Sequence, residues 1–180
     1  LEYTFKLKKN VTWHDGKPFT SADVAFTVGL AQNDKSGSVL AARLGSIASV
    51  ETPDERTVVI QLSKPAANML DTLTKLMMLP EHALSTIPVE ELAKNAWWST
   101  TPIGTGPFKL EKYDIATGAT FARNDDWWGG KPNLEKVDFV FSDDIATQIT
   151  GVLGGQADAI VLFAVVGGDA LLSNPDVTVE

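Results

Sequence analysis

The segment Thr101-Pro-Ile-Gly-Thr-Gly-Pro-Phe-Lys-Leu110, with Asn124-Asp-Asp-Trp-Trp-Gly-Gly-Lys-Pro-Asn-Leu134 downstream, decides how this chain is read. Gly104 and Gly106 followed by Pro107 set an abrupt turn, because glycine tolerates backbone that other residues avoid and proline fixes φ. Phe108-Lys109-Leu110 leaves the turn with the alternation of a strand. A second alternating run, Ala119 to Arg123, ends at the pair Trp127-Trp128, held against a Gly-Gly-Lys-Pro turn. The segment predicts two paired strands bracketed by rigid turns, with two indoles at one rim.

On its N-terminal side, Glu2 to Lys8 alternates as a half-buried strand does, Val11-Thr-Trp13 continues it, and His14-Asp-Gly-Lys-Pro18 turns the chain. Thr20 and Asp23 form a capping box that opens a helix carrying Val24, Phe26, Val28 and Leu30. Asn33 to Ser38 is polar and reads as a loop. Ile47 to Glu51 and Thr57 to Leu62 read as a strand pair around Pro53-Asp54-Glu55. The spacing of Met69, Leu70, Leu73, Leu76 and Met77 predicts a helix over 65–79, stopped by Pro80. A short helix is expected over 89–96. On the C-terminal side come a strand over 136–141 and a helix over 143–153, with Asp143 and Asp144 at its positive end and Gly154-Gly155 at its cap. A strand over 157–163, a short helix over 169–172 and a strand from Val177 complete the order. The pattern is an α/β chain of mixed α+β character, with a mixed sheet. A compositional change over 97–107 marks a boundary between two lobes.

The 180 residues, 44% hydrophobic and 21% charged, suffice for a real core. Net charge is −8 and the longest basic run is Lys8-Lys9, so no concentrated basic face for nucleic acid is present. The absence of cysteine excludes disulfides, thiolate zinc sites and cysteine nucleophiles. No apolar run approaches the roughly 20 residues of a membrane span. Residue 1 is Leu within a strand-like alternation and the last residues are again strand-like, so both ends are expected to be cut from a longer protein. A leader or anchor motif would then lie outside this sequence.

His14-Asp15, with Thr20 and Ser21 nearby, is the most enzyme-like group, but adjacent residues in a hairpin point to opposite faces and Asp15-Gly16 is explained by the turn. His82 reads as a solvated loop residue. Asp125-Asp126 and Asp143-Asp144 lack the alternate spacing of a calcium loop. Gly104-Thr-Gly106-Pro107 lacks the Gly-Lys-Ser/Thr of a phosphate loop. Asn10-Val-Thr12 is a glycosylation sequon, a pattern frequent by chance. The reading assigns no catalytic residue, no metal and no cofactor. The five tryptophans, Trp13, Trp97, Trp98, Trp127 and Trp128, carry more weight. Adjacent pairs in extended chain send one ring inward and one outward, and the outward indole calls for a cover, either a ligand or another part of the same protein.

Five pieces together identify a resemblance. Tyr3-Thr-Phe-Lys-Leu-Lys-Lys-Asn-Val-Thr-Trp-His-Asp-Gly-Lys-Pro-Phe-Thr-Ser-Ala-Asp-Val24, Thr57 to Pro65, Pro102 to Leu110, Asp126 to Pro132 and Leu153 to Ile160 come in one order along nearly the whole chain. They resemble the signatures of the peptide/nickel class (family 5) of extracellular solute-binding proteins of ABC transporters. The resemblance implies part of a bilobal periplasmic-binding-protein-like fold, with residues 1–100 in the smaller-lobe region, 101–180 in part of the N-terminal ligand-binding lobe, and the distal lobe absent. It implies a non-enzymatic, monomeric receptor, membrane-anchored in the periplasm or outside the cell (a lipoprotein). Such a receptor captures a peptide, metal chelate or other small solute and delivers it to a membrane permease. Carried over residue by residue, it implies apolar ligand contact from Phe26 and from Trp127 or Trp128, and backbone access at Gly104, Thr105 and Gly106. Trp127 departs from the family's common Tyr, which keeps ring stacking and loses a hydroxyl. Against this stand two alternatives: that these residues serve only the fold, since shared signatures cannot choose among ligands, and that half a cleft binds nothing. The rival function is a secreted hydrolytic or carbohydrate-active domain using the acidic pairs and tryptophans, which needs an activated nucleophile or two acids in one cleft.

Overall fold

The computed structural model describes residues 1–161 and 169–178. The chain divides into two compact units, Leu1–Tyr113 with Thr120–Val137, and Asp114–Ala119 with Asp138–Glu180.

The first unit is built on an antiparallel sheet of β1 (Glu2–Lys6), β2 (Ile47–Asp54) and β3 (Thr57–Leu62) in the order β1-β3-β2. Tyr3 pairs with Ile60 and Phe5 with Val58, so the alternation of β1 sets its apolar residues opposite the buried ones of β3. Helix α1 (Ser21–Gln32) lays Val24, Val28 and Ala31 into the same core as Leu44, Ile47, Val58, Ile60 and Met69. Strand β2 runs through Pro53, beyond the predicted Glu51, and the turn falls at Glu55-Arg56. An edge position tolerates a residue without an N–H, and bulges between Ile47 and Ser49 and between Glu51 and Asp54 absorb the mismatch.

Polar bonds also fix α1. The buried Asp23 carboxylate accepts hydrogen bonds from Thr20 N–H at 2.9 Å, from Trp13 Nε1 at 3.2 Å and from Glu81 N–H at 3.0 Å. One turn on, Thr27 Oγ1 accepts from Leu79 N–H at 2.9 Å. Ser21 Oγ donates to Asp54 O at 2.6 Å. The capping box predicted from Thr20 and Asp23 is present, and its acidic member also ties three separate segments to one helix end.

Helices α2 (Ala41–Leu44), α3 (Met69–Thr74), α4 (Glu81–Leu84), α5 (Val89–Leu92) and α6 (Trp97–Thr100) complete the unit. The helix expected over 65–79 is confined to α3. Beyond Lys75 the chain leaves helical geometry and brings Leu79 and Glu81 to Thr27 and Asp23, two bonds that a continued helix would forgo. The Asn33 to Ser38 loop contains one 3-10 turn, Asp34–Ser36. Trp97 and Trp98 open α6 instead of lying in extended chain, with their rings edge to face at 4.9 Å and Trp98 Nε1 donating to Leu92 O at 2.7 Å.

A second sheet has the order β4 (Phe108–Asp114), β5 (Gly118–Arg123), β6 (Lys136–Val140). Asp114 Oδ1 accepts from Ala116 N–H at 2.8 Å and Thr117 N–H at 3.1 Å, closing the β4–β5 hairpin. Helix α7 (Ile145–Leu153) starts at Asp144, whose carboxylate accepts from Thr147 N–H at 2.9 Å, and ends before Gly155 in left-handed backbone (φ 68°). Helix α8 spans Asp169–Leu172. Helices and strands are mixed as expected. The described strands form two three-stranded sheets, and residues 157–161 and 177–178 are not in strand. The remainder of those two predicted strands, 162–163 and 179–180, lies outside the described residues.

Replacing Asp23 by Ala leaves one buried donor, Trp13 Nε1, and two partly buried ones, Thr20 N–H and Glu81 N–H, without this acceptor, which predicts a loss of about 3 kcal/mol in urea unfolding. D23N keeps the shape but turns an NH2 group toward at least one donor, so it should also lose stability. A change below about 0.5 kcal/mol in D23A would show that these bonds are not what fastens α1.

Candidate functional site

The turn over 104–106 is gripped by His14. His14 N–H donates to Gly104 O at 2.9 Å, and Gly104 N–H donates back to His14 Nδ1 at 3.1 Å. Because Nδ1 accepts, the proton of the neutral ring sits on Nε2, which donates to Gly106 O at 3.1 Å. Burial is the main cause of a His14 pKa below the ordinary imidazole value. Lys109 pushes the same way, while the Gly106 carbonyl and Asp15 oppose it.

The indole turn closes on the same loop. Asn124, almost fully buried, donates from Nδ2 to Gly106 O at 3.2 Å and from its N–H to Pro107 O at 2.8 Å, and its carbonyl receives Trp127 N–H at 3.1 Å. Trp128 Nε1 donates to Thr105 O at 2.9 Å, and Lys8 Nζ lies 4.4 Å from the centroid of the Trp128 ring. Trp128 is 41% exposed, whereas Trp127 is half-buried and its Nε1 is buried without a partner among the described residues. The two rings tilt at 52° with centroids 5.2 Å apart. Gly129 is required here, because a Cβ would lie 2.4 Å from the Trp127 ring.

Of the residues selected from sequence, Gly104, Thr105, Gly106 and Trp128 are joined by hydrogen bonds, and Trp127 joins them through its ring. Phe26 is half-buried on α1, and no hydrogen bond or ring contact among the described residues links it to this cluster. The loop's carbonyls are turned to the protein, while the N–H groups of Thr105 and Gly106 have no acceptor among the described residues. Sequence reasoning missed Lys8, His14 and Asn124 as parts of the site. Their signal was weak, since each bonds to a backbone group or a ring face far along the chain.

The enzyme-like pair dissolves. Asp15 bonds to His82 Nε2 at 2.8 Å instead of to His14; burial pushes its pKa up, but the hydrogen bonds from His82 and from Lys17 N–H, with the charges of those two residues, together hold it below the ordinary carboxylate value. His82 is therefore not a solvated loop residue: it stands in α4, partly covered, with Trp13 edge-on at 6.3 Å. Neither imidazole is hydrogen-bonded to a hydroxyl among the described residues. Asp125 pairs with Arg123 at 2.7 Å and Lys131 at 3.2 Å, and Asp144 caps α7. No group of three His, Asp or Glu side chains that could hold a metal occurs among the described residues. A separate apolar groove of about 460 Å³ opens between Phe5, Leu7, Phe19, Leu70, Leu73 and Met78 and includes none of the selected residues.

Residues 1–179 match the description of bacterial extracellular solute-binding proteins, family 5. The chain belongs to that family. It is 58% identical over 156 residues to a Brucella ovis protein named as a candidate ABC transporter peptide-binding protein, covering 87% of this chain and 29% of that protein. The oligopeptide-binding protein AppA of Bacillus subtilis, solved with a nonapeptide, superimposes with a TM-score of 0.83 at 29% identity, over 87% of this chain and 31% of that one. NikZ of Campylobacter jejuni, solved with Ni(L-His), gives a TM-score of 0.87 at 29% identity, over 98% and 34% of the two chains. The chain thus spans about 29% of the length of the curated relatives it matches. Its helices and antiparallel sheets are part of the family 5 fold.

Gly129→Ala must displace the Trp127 ring and should cost about 1–3 kcal/mol in thermal unfolding. An unchanged midpoint would show that the ring and turn part without penalty.

Proposed function

We propose that this chain is part of the solute-capturing component of an ABC importer, which takes up a peptide or another small solute, metal chelates among them, between two lobes. It passes the solute to a membrane permease and acts in the periplasm or outside the cell, held there by a membrane anchor. The whole receptor is a monomer and does not bind nucleic acid. Residues 1–100 belong to its smaller-lobe region and 101–180 to part of the N-terminal ligand-binding lobe. It performs no catalysis.

One observation supports placing solute contact at the 104–106 loop: the N–H groups of Thr105 and Gly106 are unbonded among the described residues, in the loop whose Thr105 carbonyl holds the partly exposed Trp128. Backbone donors next to an indole suit a ligand with carbonyl or carboxylate oxygens and apolar surface. Trp127 underlies Trp128, and Phe26 supplies apolar contact from α1. The nonapeptide and nickel-histidine complexes of the two structural relatives point to the same solute classes. The hydrolytic alternative finds no support: in each acidic pair one member is already engaged, Asp125 by Arg123 and Lys131 and Asp144 by the N-terminus of α7.

A thermal-shift screen of the protein against peptides, nickel-histidine chelates and oligosaccharides tests this reading. A binder in hundredfold excess over its Kd should add about 2.7 kcal/mol of stability, and Trp128→Ala should weaken that binder about tenfold. The absence of a shift in all three classes would overturn it.

A further inference from the structure

We infer that His14 is a positioning residue whose neutral imidazole latches the 104–106 loop, and that protonation at Nδ1 releases the loop. The geometry is a closed set of three bonds, with His14 N–H to Gly104 O at 2.9 Å, Gly104 N–H to Nδ1 at 3.1 Å, and Nε2–H to Gly106 O at 3.1 Å. A proton arriving at Nδ1 sets an N–H against the Gly104 N–H, so one of these bonds is exchanged for a clash of donors. The Nε2 bond is kept and strengthens with the charge, so release begins at Gly104 and not at Gly106.

The surroundings favour the neutral ring near neutrality. Lys109, on β4, places Nζ 3.2 Å from His14 O and opposes a second positive charge. Asp15, the adjacent carboxylate, would favour the charge, but it is bonded to His82 of α4 at 2.8 Å and receives Lys17 N–H at 3.2 Å. Burial of the ring lowers its proton affinity further. A base with a lowered folded-state pKa gives stability that is complete above its unfolded value, about 6.5, and is lost as pH falls below it. The loop is therefore held at neutral pH and loosened in acid.

A consequence for capture rests on the proposed function, since it requires the loop to touch solute. The latch itself is tested without any solute, so the two can fail separately. In the protein, ¹⁵N-histidine spectra should show the His14 ring in the Nε2–H form at pH 7.5. Its protonation midpoint, below that of an ordinary histidine, should coincide with a change in the Gly104 amide resonance. Histidine 14 is assigned by its loss in H14N, where Asn Oδ1 offers a shorter acceptor without a titrating proton. Hydrogen exchange at Gly104 should rise at least tenfold between pH 7 and pH 5 after correction for intrinsic rates, and the rise should vanish in H14N. An Nδ1–H tautomer would overturn the proposal. So would an exchange profile as steep in H14N as in the parent, even if H14N were less stable overall.

Discussion

A buried carboxylate that accepts from three N–H groups imposes order on everything around it, because each donor must be delivered from a different part of the chain. Asp23 receives Trp13 Nε1, Thr20 N–H and Glu81 N–H. Leaving the buried Trp13 Nε1 unpaired would cost on the order of 1–3 kcal/mol, a large fraction of the net stability of a domain. The first hairpin, the start of α1 and the start of α4 are thereby tied to one atom group. That fixing explains why the helix before Pro80 ends early: the chain must straighten to reach Asp23 and Thr27. It also seats Trp13, and with it the neighbouring His14, against which the 104–106 loop is built.

The family signatures hold one another more than they face outward. His14 and Asp15 come from the first signature, Gly104 to Pro107 from the third and Asn124 to Gly129 from the vicinity of the fourth. Gly106 O is the meeting point, accepting from both His14 Nε2 and Asn124 Nδ2. Such mutual satisfaction engages the loop's carbonyls while the N–H groups of Thr105 and Gly106 have no acceptor among the described residues and Trp128 stays partly exposed. A site of this kind can be shared by receptors for different solutes, because what it keeps constant is backbone geometry.

Much of the fold was legible in the sequence where local rules govern. The alternation of β1 and β3, the Thr20–Asp23 cap, the Asp144 start of α7 and the 104–107 turn all depend on residues within a few positions of each other. What was not legible depends on pairs far apart in the chain. His82 looked like an isolated loop residue because its partner, Asp15, lies 67 positions away. Leu76 and Met77 fit a helical spacing, yet bonds from Leu79 and Glu81 across to α1 outweigh local propensity. Phe26 was selected by its place in a signature, whereas the bonded cluster formed around backbone carbonyls, which carry no sequence signal.

The outer strand β2 carries Pro53, two bulges and the acidic residues Glu51 and Asp54 along one short run. A flat, regular edge would offer its free ladder to any other extended chain. Here the missing proline donor, the kinks and the charges spoil that template over half the strand. The irregularity that blurred the strand's boundary in the sequence thus doubles as a guard against edge-to-edge aggregation.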